Sequence, residues 1–374
     1  MTARPGAYVH VPYCVRRCAY CSFVTVTERD TEAAYFEALG REIRSRAGEA
    51  GGPLETVYFG GGTPSCVEPA SLRGALESLR AAFGVLAGAE VTAEANPDDL
   101  GERRLEALLG LGVNRFSVGV QSLDEKELAP LERRHDAATA LDALRRAARA
   151  GARVSADLMI GIPFQTRAGL RASLEGVLSA GAGHVSAYLL ELEKAPRLLR
   201  LRHESPEAFA DDEELAERWE EVDHLCAVAG LSRYETSNWA REGEESRHNL
   251  KYWRREPVVG LGVSAASFDG TVRRTNHGSL PAYLRSVRET GTAFAAEERL
   301  SQGEALREGV LLGLRTAAGV PAPDLSAAVA TLAAADRDRL EDAFAAGLLE
   351  RAGERVRLTR RGVLLSNEVF SLLV

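Results

Sequence analysis

Three of the chain's five cysteines, Cys14, Cys18 and Cys21, lie in one short stretch, "YVHVPYCVRRCAYCSFVTV" at residues 8–26. A loop is a poor place to bury small apolar side chains, so ligand chemistry explains the grouping better than packing does. In a reducing compartment such thiols serve as metal ligands rather than disulfides. Zinc sites usually draw four ligands from paired C-x2–4-C units or histidine pairs, and no second pair follows here at the usual distance. Ferredoxin-type clusters use four cysteines. Three thiolates can hold three irons of a four-iron cluster and leave the fourth open to a chelating molecule. The C-x3-C-x2-C spacing alone leaves zinc and a cluster both open.

The elements that would position this loop read clearly in the first two-thirds of the chain. Strand-like runs occur at 7–11, 56–59, 90–95, 115–120, 153–160 and 184–193 ("HVSAYLLELE"). Helical patterns lie between them, among them Thr31 to Ala47, Pro69 to Phe83, Asp99 to Leu111 and Asp136 to Ala150. Alternation of this kind predicts parallel strands with helical crossovers, and the strand number suits a partial or full (β/α) barrel, a partial (β/α)6 one with these six strands, better than a Rossmann sheet. Barrel active sites sit at the C-terminal ends of the strands, which is where the cysteine loop and the glycine-rich "GGGTPS" (Gly60 to Ser65) fall. Glycines after a strand let backbone groups approach a ligand without Cβ interference.

The division expected is a barrel with its cluster loop over residues 1–240, an irregular linking region over 241–299, and a small, mainly helical, winged-helix-like domain over 300–374. Hydrophobic residues make up 45% of the chain and charged residues 27%, an ordinary globular composition. No run is apolar enough to cross a bilayer and the first strand starts almost at once, so a cytoplasmic location is expected. A net charge of −8 argues against nucleic acid as the main partner.

The cysteine loop, Tyr8 and Tyr20 beside it, and "GGGTPS" together resemble the radical S-adenosylmethionine (SAM) superfamily. That resemblance implies a [4Fe–4S] cluster on Cys14, Cys18 and Cys21. Its fourth iron would bind the amino and carboxylate groups of SAM, and an electron from the cluster would cleave SAM to a 5′-deoxyadenosyl radical. "YVHVPYC", "YFGGGTPS", "EANPDDL", "GVNRFSVGVQS", "RRH" at 133–135, "ADLMIGIPFQT" and "HVSAYLLELE" are similar, in order, to the oxygen-independent coproporphyrinogen III oxidase-like branch. Carried over residue by residue, the resemblance makes Tyr8, Tyr20, Gly61, Gly62, Thr63, Glu94, Gln121, Arg133 and Asp157 the SAM contacts. Glu94 and Asp157 suit ribose hydroxyls or an amino group, Arg133 a carboxylate, and Tyr20 the adenine face.

Oxidases of that branch carry a further cysteine just after the third ligand; here Ser22 and Phe23 follow Cys21. "HNLKYW" (His248 to Trp253) instead resembles the signature of the heme-chaperone relatives and implies that His248 binds heme. The resemblance therefore implies a heme chaperone that hands heme to acceptor hemoproteins, those of respiration among them, with an electron donor and a peripheral membrane contact only through the acceptor. A coproporphyrinogen III oxidase and a non-catalytic cluster-binding protein are the alternatives. Ser22 in place of an aspartate, "EKAP" at 193–196 and Cys66 after the glycine loop depart from the branch pattern.

Overall fold

The computed structural model describes residues 3–373. Six strands run parallel and in sequence order: β1 (Gly6–Val11), β2 (Leu54–Gly61), β3 (Val85–Ala95), β4 (Arg115–Gln121), β5 (Arg153–Ile160) and β6 (His184–Leu189). Helices Glu32–Ser45, Pro69–Phe83, Glu102–Leu111, Ala137–Arg149 and Arg167–Ser179 make the crossovers. This is the partial (β/α)6 barrel expected from the alternation.

Period-two alternation sorts each strand into two faces. Ala7, Val9, Val11, Val57, Phe59, Ala93, Phe116, Val118, Val154 and Ala156 are buried in the main apolar core with the helices. Each such burial contributes about 1.5–3 kcal/mol for the larger side chains. The alternate positions include Thr56, Glu94, Ser117, Ser155 and Asp157. The barrel interior is consequently a polar well, where a closed (β/α)8 barrel would be filled with branched apolar side chains. The crossovers are punctuated locally: Asp136 and Thr166 accept from the backbone N–H of Thr139 and Gly169, and Gly112 ends its helix in a left-handed conformation.

Two stretches depart from the sequence reading. The sixth strand stops at Leu189 instead of running to 193, because Leu190 and Leu192 turn away to pack on a satellite cluster of Ala19, Leu131, Met159, Ile162, Ala195 and Leu198. Residues 241–299 are not irregular. Just before them a hairpin, β7 (Ser232–Glu235) and β8 (Asn238–Ala240), joins the sheet through β8 antiparallel to β6, and within them β9 (Val258–Leu261) pairs parallel with β1. Strands β10 (Ala266–Phe268), β11 (Val272–Asn276) and β12 (Phe294–Arg299) continue from β9 into a 12-stranded sheet. The partner of β9 lies at the start of the chain, so no local pattern could announce the pairing.

Helix Arg247–Trp253, capped by Ser246, crosses the N-terminal ends of β1 and β2, where Lys251 donates to the Arg4 carbonyl at 2.7 Å. The C-terminal unit has helices Gln302–Leu314, Ala322–Val329 and Ala334–Ala345. Its three-stranded sheet, β13 (Val320–Pro321), β14 (Leu349–Ala352) and β15 (Arg355–Leu358), has the order β13-β15-β14, a winged-helix-like arrangement. Glu308 ties it to the barrel, accepting from Arg255 and Arg273 at 2.6 Å each.

Candidate functional site

The cysteine loop leaves β1 at Pro12 and is closed on itself. Val26 N donates to Pro12 O at 2.8 Å, and Cys14 N to Val26 O at 2.9 Å. His10 holds the loop from below through Nε2 and the Val24 carbonyl, 2.8 Å apart, so His10 is a structural residue. Ala19 anchors the far side, its N–H donating to Leu131 O while its methyl joins the satellite cluster.

One cavity brings Cys14, Cys18 and Cys21 together with Tyr20, Gly61, Gly62, Thr63, Glu94, Gln121, Arg133 and Asp157. Gly61 has φ +101°, and a Cβ there would strike the His10 ring; one on Gly62 would lie 2.6 Å from the Val11 carbonyl. Both glycines are thus required for the strand end to press against the cysteine loop. Gln121 follows a bulge in β4 and has φ +66°, a conformation rare outside glycine and asparagine. Its Oε1 is buried without a partner, as is Nε of Arg133.

The electrostatics are those of a cavity built for a charged occupant. Burial pushes the Glu94 carboxyl up to about 7 even though Tyr58 and the Gly61 N–H donate to it. Burial likewise lifts Asp157 to about 6 against the hydroxyls of Ser117 and Ser155. Arg133 donates to Asn96 Oδ1 at 2.7 Å, to the Gly119 carbonyl and to Cys18 Sγ at 3.4 Å. The Cys14 thiol, 3.3 Å from Thr63 Oγ1, is pushed up to about 11 by burial, and the Cys21 thiol is also raised.

These residues fit the groups the resemblance implies. Three soft donors, Cys14, Cys18 and Cys21, line one opening. Raised thiols become thiolates only where metal charge offsets them, as a cluster would. The unpartnered Gln121 oxygen and Arg133 nitrogen supply an acceptor and a donor for a zwitterionic ligand.

Two candidates lie elsewhere. Tyr8 does not line the cavity; its ring stacks on Tyr58 at 6.1 Å and its hydroxyl is 3.2 Å from His10 Nδ1, so it supports the site from beneath. His248 is fully buried at the opposite end of the barrel. Its Nδ1 shares a hydrogen bond with Thr56 Oγ1 at 2.8 Å and its Nε2 one with the Tyr252 hydroxyl at 3.0 Å, while the ring stacks on Tyr58 at 5.1 Å. Burial, with Lys251 and Arg115 nearby, pushes it down to about 3. Both ring nitrogens of His248 are thus engaged here, and iron could reach one only after a hydrogen bond opens. Cys66 is buried, with its thiol directed at the Tyr13 carbonyl, and does not line the cavity.

Asn96 bridges Arg133 and Thr63 and was missed, although it follows Glu94 by two residues in "EANPDDL". Ser117 and Tyr188 also line the cavity, and the period-two pattern of β4 and β6 carries the signal for both.

The Radical SAM superfamily model matches residues 8–175, and the HemN C-terminal domain model matches residues 300–365. The structure of E. coli coproporphyrinogen III oxidase covers 100% of this chain and 90% of its own with a TM-score of 0.86; at 21% identity it shows the fold. Fold and cysteine loop thus define a radical SAM protein with a HemN-type C-terminal domain. The heme chaperone HemW of Mycobacterium tuberculosis is 36% identical over 99% of this chain and 94% of its own length. The Bacillus subtilis heme chaperone HemW is 32% identical over 98% of each. Bovine mitochondrial radical S-adenosyl methionine domain-containing protein 1 is 37% identical over 85% of the chain and 74% of its own. The chain belongs to the HemW family of radical SAM heme chaperones.

Proposed function

We propose that this chain binds heme and transfers it to acceptor hemoproteins, with a [4Fe–4S] cluster on Cys14, Cys18 and Cys21 and SAM in the cavity beside them. The observation that carries the reading is the full-length likeness to heme chaperones, joined to a cavity where three thiols face eight of the nine expected SAM contacts. When bound, the cluster supplies a single electron for reductive cleavage of SAM. The protein's own residues bind and orient: Arg133 offers donors to a carboxylate, Glu94 and Asp157 accept from hydroxyl or ammonium groups, and Tyr20 presents a ring beside them. Their burial keeps water from competing for these bonds.

Heme ligation by His248 requires that Tyr252 leave Nε2. Tyr252 is 38% exposed and borders a cavity of about 260 Å³ lined by Val258, Phe268 and Leu312, with Arg255 and Arg273 at its edge. A swing of this one side chain frees a neutral imidazole, the form that binds iron. Coproporphyrinogen oxidation has only the fold in its favour, and Ser22 and Phe23 stand where the oxidases carry a further cysteine.

The test is transfer. Anaerobically reconstituted protein is loaded with hemin and mixed with apomyoglobin as a generic acceptor, and the visible spectrum is followed. Saturable loading followed by growth of the myoglobin spectrum is expected. Absence of saturable loading overturns the reading.

A further inference from the structure

Asn96 follows β3 directly and precedes Pro97, so its backbone is extended, with φ −89° and ψ 147°. Its N–H donates to Ser65 Oγ at 3.2 Å, and its side chain lines the cavity of the three cysteines. There Oδ1 accepts from Arg133 Nη2 at 2.7 Å, and Nδ2 donates to Thr63 Oγ1 at 3.3 Å. A guanidinium has donors and no acceptor, so the Arg133 contact settles which end of the amide is oxygen. The nitrogen must then face Thr63.

The direction of the next bond follows. Thr63 is buried, its N–H donates to the Tyr13 carbonyl at 2.8 Å, and its hydroxyl lies 3.3 Å from Cys14 Sγ. A hydroxyl has one proton to give. Asn96 already donates to the Thr63 oxygen, which leaves that proton free to turn toward the sulfur. A thiolate, having no proton of its own, can only accept it. Arg133 Nη1 meanwhile reaches Cys18 Sγ at 3.4 Å and the Tyr20 hydroxyl at 3.5 Å. One guanidinium therefore directs donors at two of the three sulfurs, Cys18 directly and Cys14 through Asn96 and Thr63. Its Nε has no partner and stays free for a ligand.

We propose that Asn96 is a positioning residue for reduction of the cluster: it turns the Thr63 hydroxyl onto Cys14, braces Arg133 against Cys18, and so raises the reduction potential of the cluster those thiols hold. The inference rests on the assignment of a cluster to Cys14, Cys18 and Cys21. Reduction adds negative charge to the irons and their sulfurs, and donors aimed at sulfur stabilise that charge. A turn-forming role does not account for the side chain, because Ser65 and Pro97 already hold the backbone on either side of it.

The full chain is reconstituted anaerobically, and the midpoint of cluster reduction is read by electron paramagnetic resonance in a redox titration without SAM. Wild type, Thr63→Val, Thr63→Ser and Asn96→Ala are compared. Thr63→Val keeps the branched shape and loses the hydroxyl. It should lower the equilibrium constant for one-electron reduction about tenfold, a downward shift of about 59 mV. Asn96→Ala should shift the midpoint the same way and at least as far, since it releases both arms. Thr63→Ser should restore most of the wild-type value, which a purely structural role would not require. A second measurement needs wild type alone: its Fe–Sγ stretching bands in resonance Raman should move when H2O is replaced by D2O. Loaded Thr63→Val and Asn96→Ala proteins with the wild-type midpoint, or wild-type bands that stay fixed in D2O, overturn this proposal alone. A wild type that takes up no cluster overturns the cluster assignment and this inference with it.

Discussion

The two ends of the barrel use the same residue types to opposite effect. At the mouth, the C-terminal strand ends, polar groups are buried but left open: Gln121 and Arg133 have atoms without partners, and Glu94 and Asp157 are held above their ordinary range. At the floor the groups around His248 are paired. His248 uses both nitrogens, Glu90 accepts from the helix that carries it, and Lys251 reaches Glu55 at 2.8 Å and Glu256 at 3.0 Å. An open polar group is a ligand site waiting for its ligand, whereas a closed network is a structural plug that must break a bond before it can bind anything. By this criterion the mouth is preorganised for SAM and a cluster. Heme ligation at the floor, as proposed, would need a conformational step at Tyr252.

Substitutions should separate the two ends. At the mouth, Cys14→Ala is expected to remove the cluster altogether, with iron content and reductive SAM cleavage at background and a nearly unchanged melting temperature. A fully loaded Cys14→Ala protein would break the assignment. At the floor, Lys251→Ala should lower stability by about 3 kcal/mol, because it leaves Glu55 and Glu256 facing each other without their shared cation. Its cluster loading should remain intact; chemical denaturation and iron analysis on one preparation read both. Loss of the cluster without loss of stability would invert the comparison.

The mouth also predicts a pH signature. Glu94 sits at about 7 in the folded chain against an ordinary 4.5, so the folded state binds the proton more tightly than the unfolded one. Stability from this group is present below about pH 4 and is lost as pH rises toward 7, on the order of 2–3 kcal/mol. His135 and His248, pushed down to about 4 and about 3, act in the opposite sense, losing stability as pH falls below about 6.5. The difference between wild type and Glu94→Gln isolates the carboxylate: the gap should open between pH 4 and 7 and stay flat above. A gap that does not vary with pH would show that Glu94 is already ionised or already paired. The smallest effect belongs to Cys66→Ser, which keeps a donor toward the Tyr13 carbonyl. A cost under about 1 kcal/mol and unchanged iron content are expected, and iron loss would bring Cys66 into the site.

Much of the mouth was legible in the chain itself, because its signals are local. Cys14, Cys18 and Cys21 announce a ligand loop by spacing, Gly61 and Gly62 announce a close approach, and Glu94 falls at a strand end. The barrel strands β1 to β5 follow from alternating burial that recurs every two residues. What escaped depends on distant partners. Strand β9 pairs with β1 across most of the chain, and the "HNLKYW" helix shows its histidine but not the Thr56 and Tyr252 that close it. Tyr8, adjacent to the loop in the resemblance, is turned by the pleat toward Tyr58 and away from the cavity.

The most direct test of the account is an anaerobic hemin titration, followed by visible absorption, of wild type, His248→Ala and Tyr252→Phe. The account predicts saturable binding by wild type and weaker binding with an altered spectrum for His248→Ala. Tighter binding is expected for Tyr252→Phe, whose missing hydroxyl no longer holds Nε2. No saturable binding by wild type would contradict the heme chaperone reading, and identical titrations of all three proteins would place the heme somewhere other than the barrel floor.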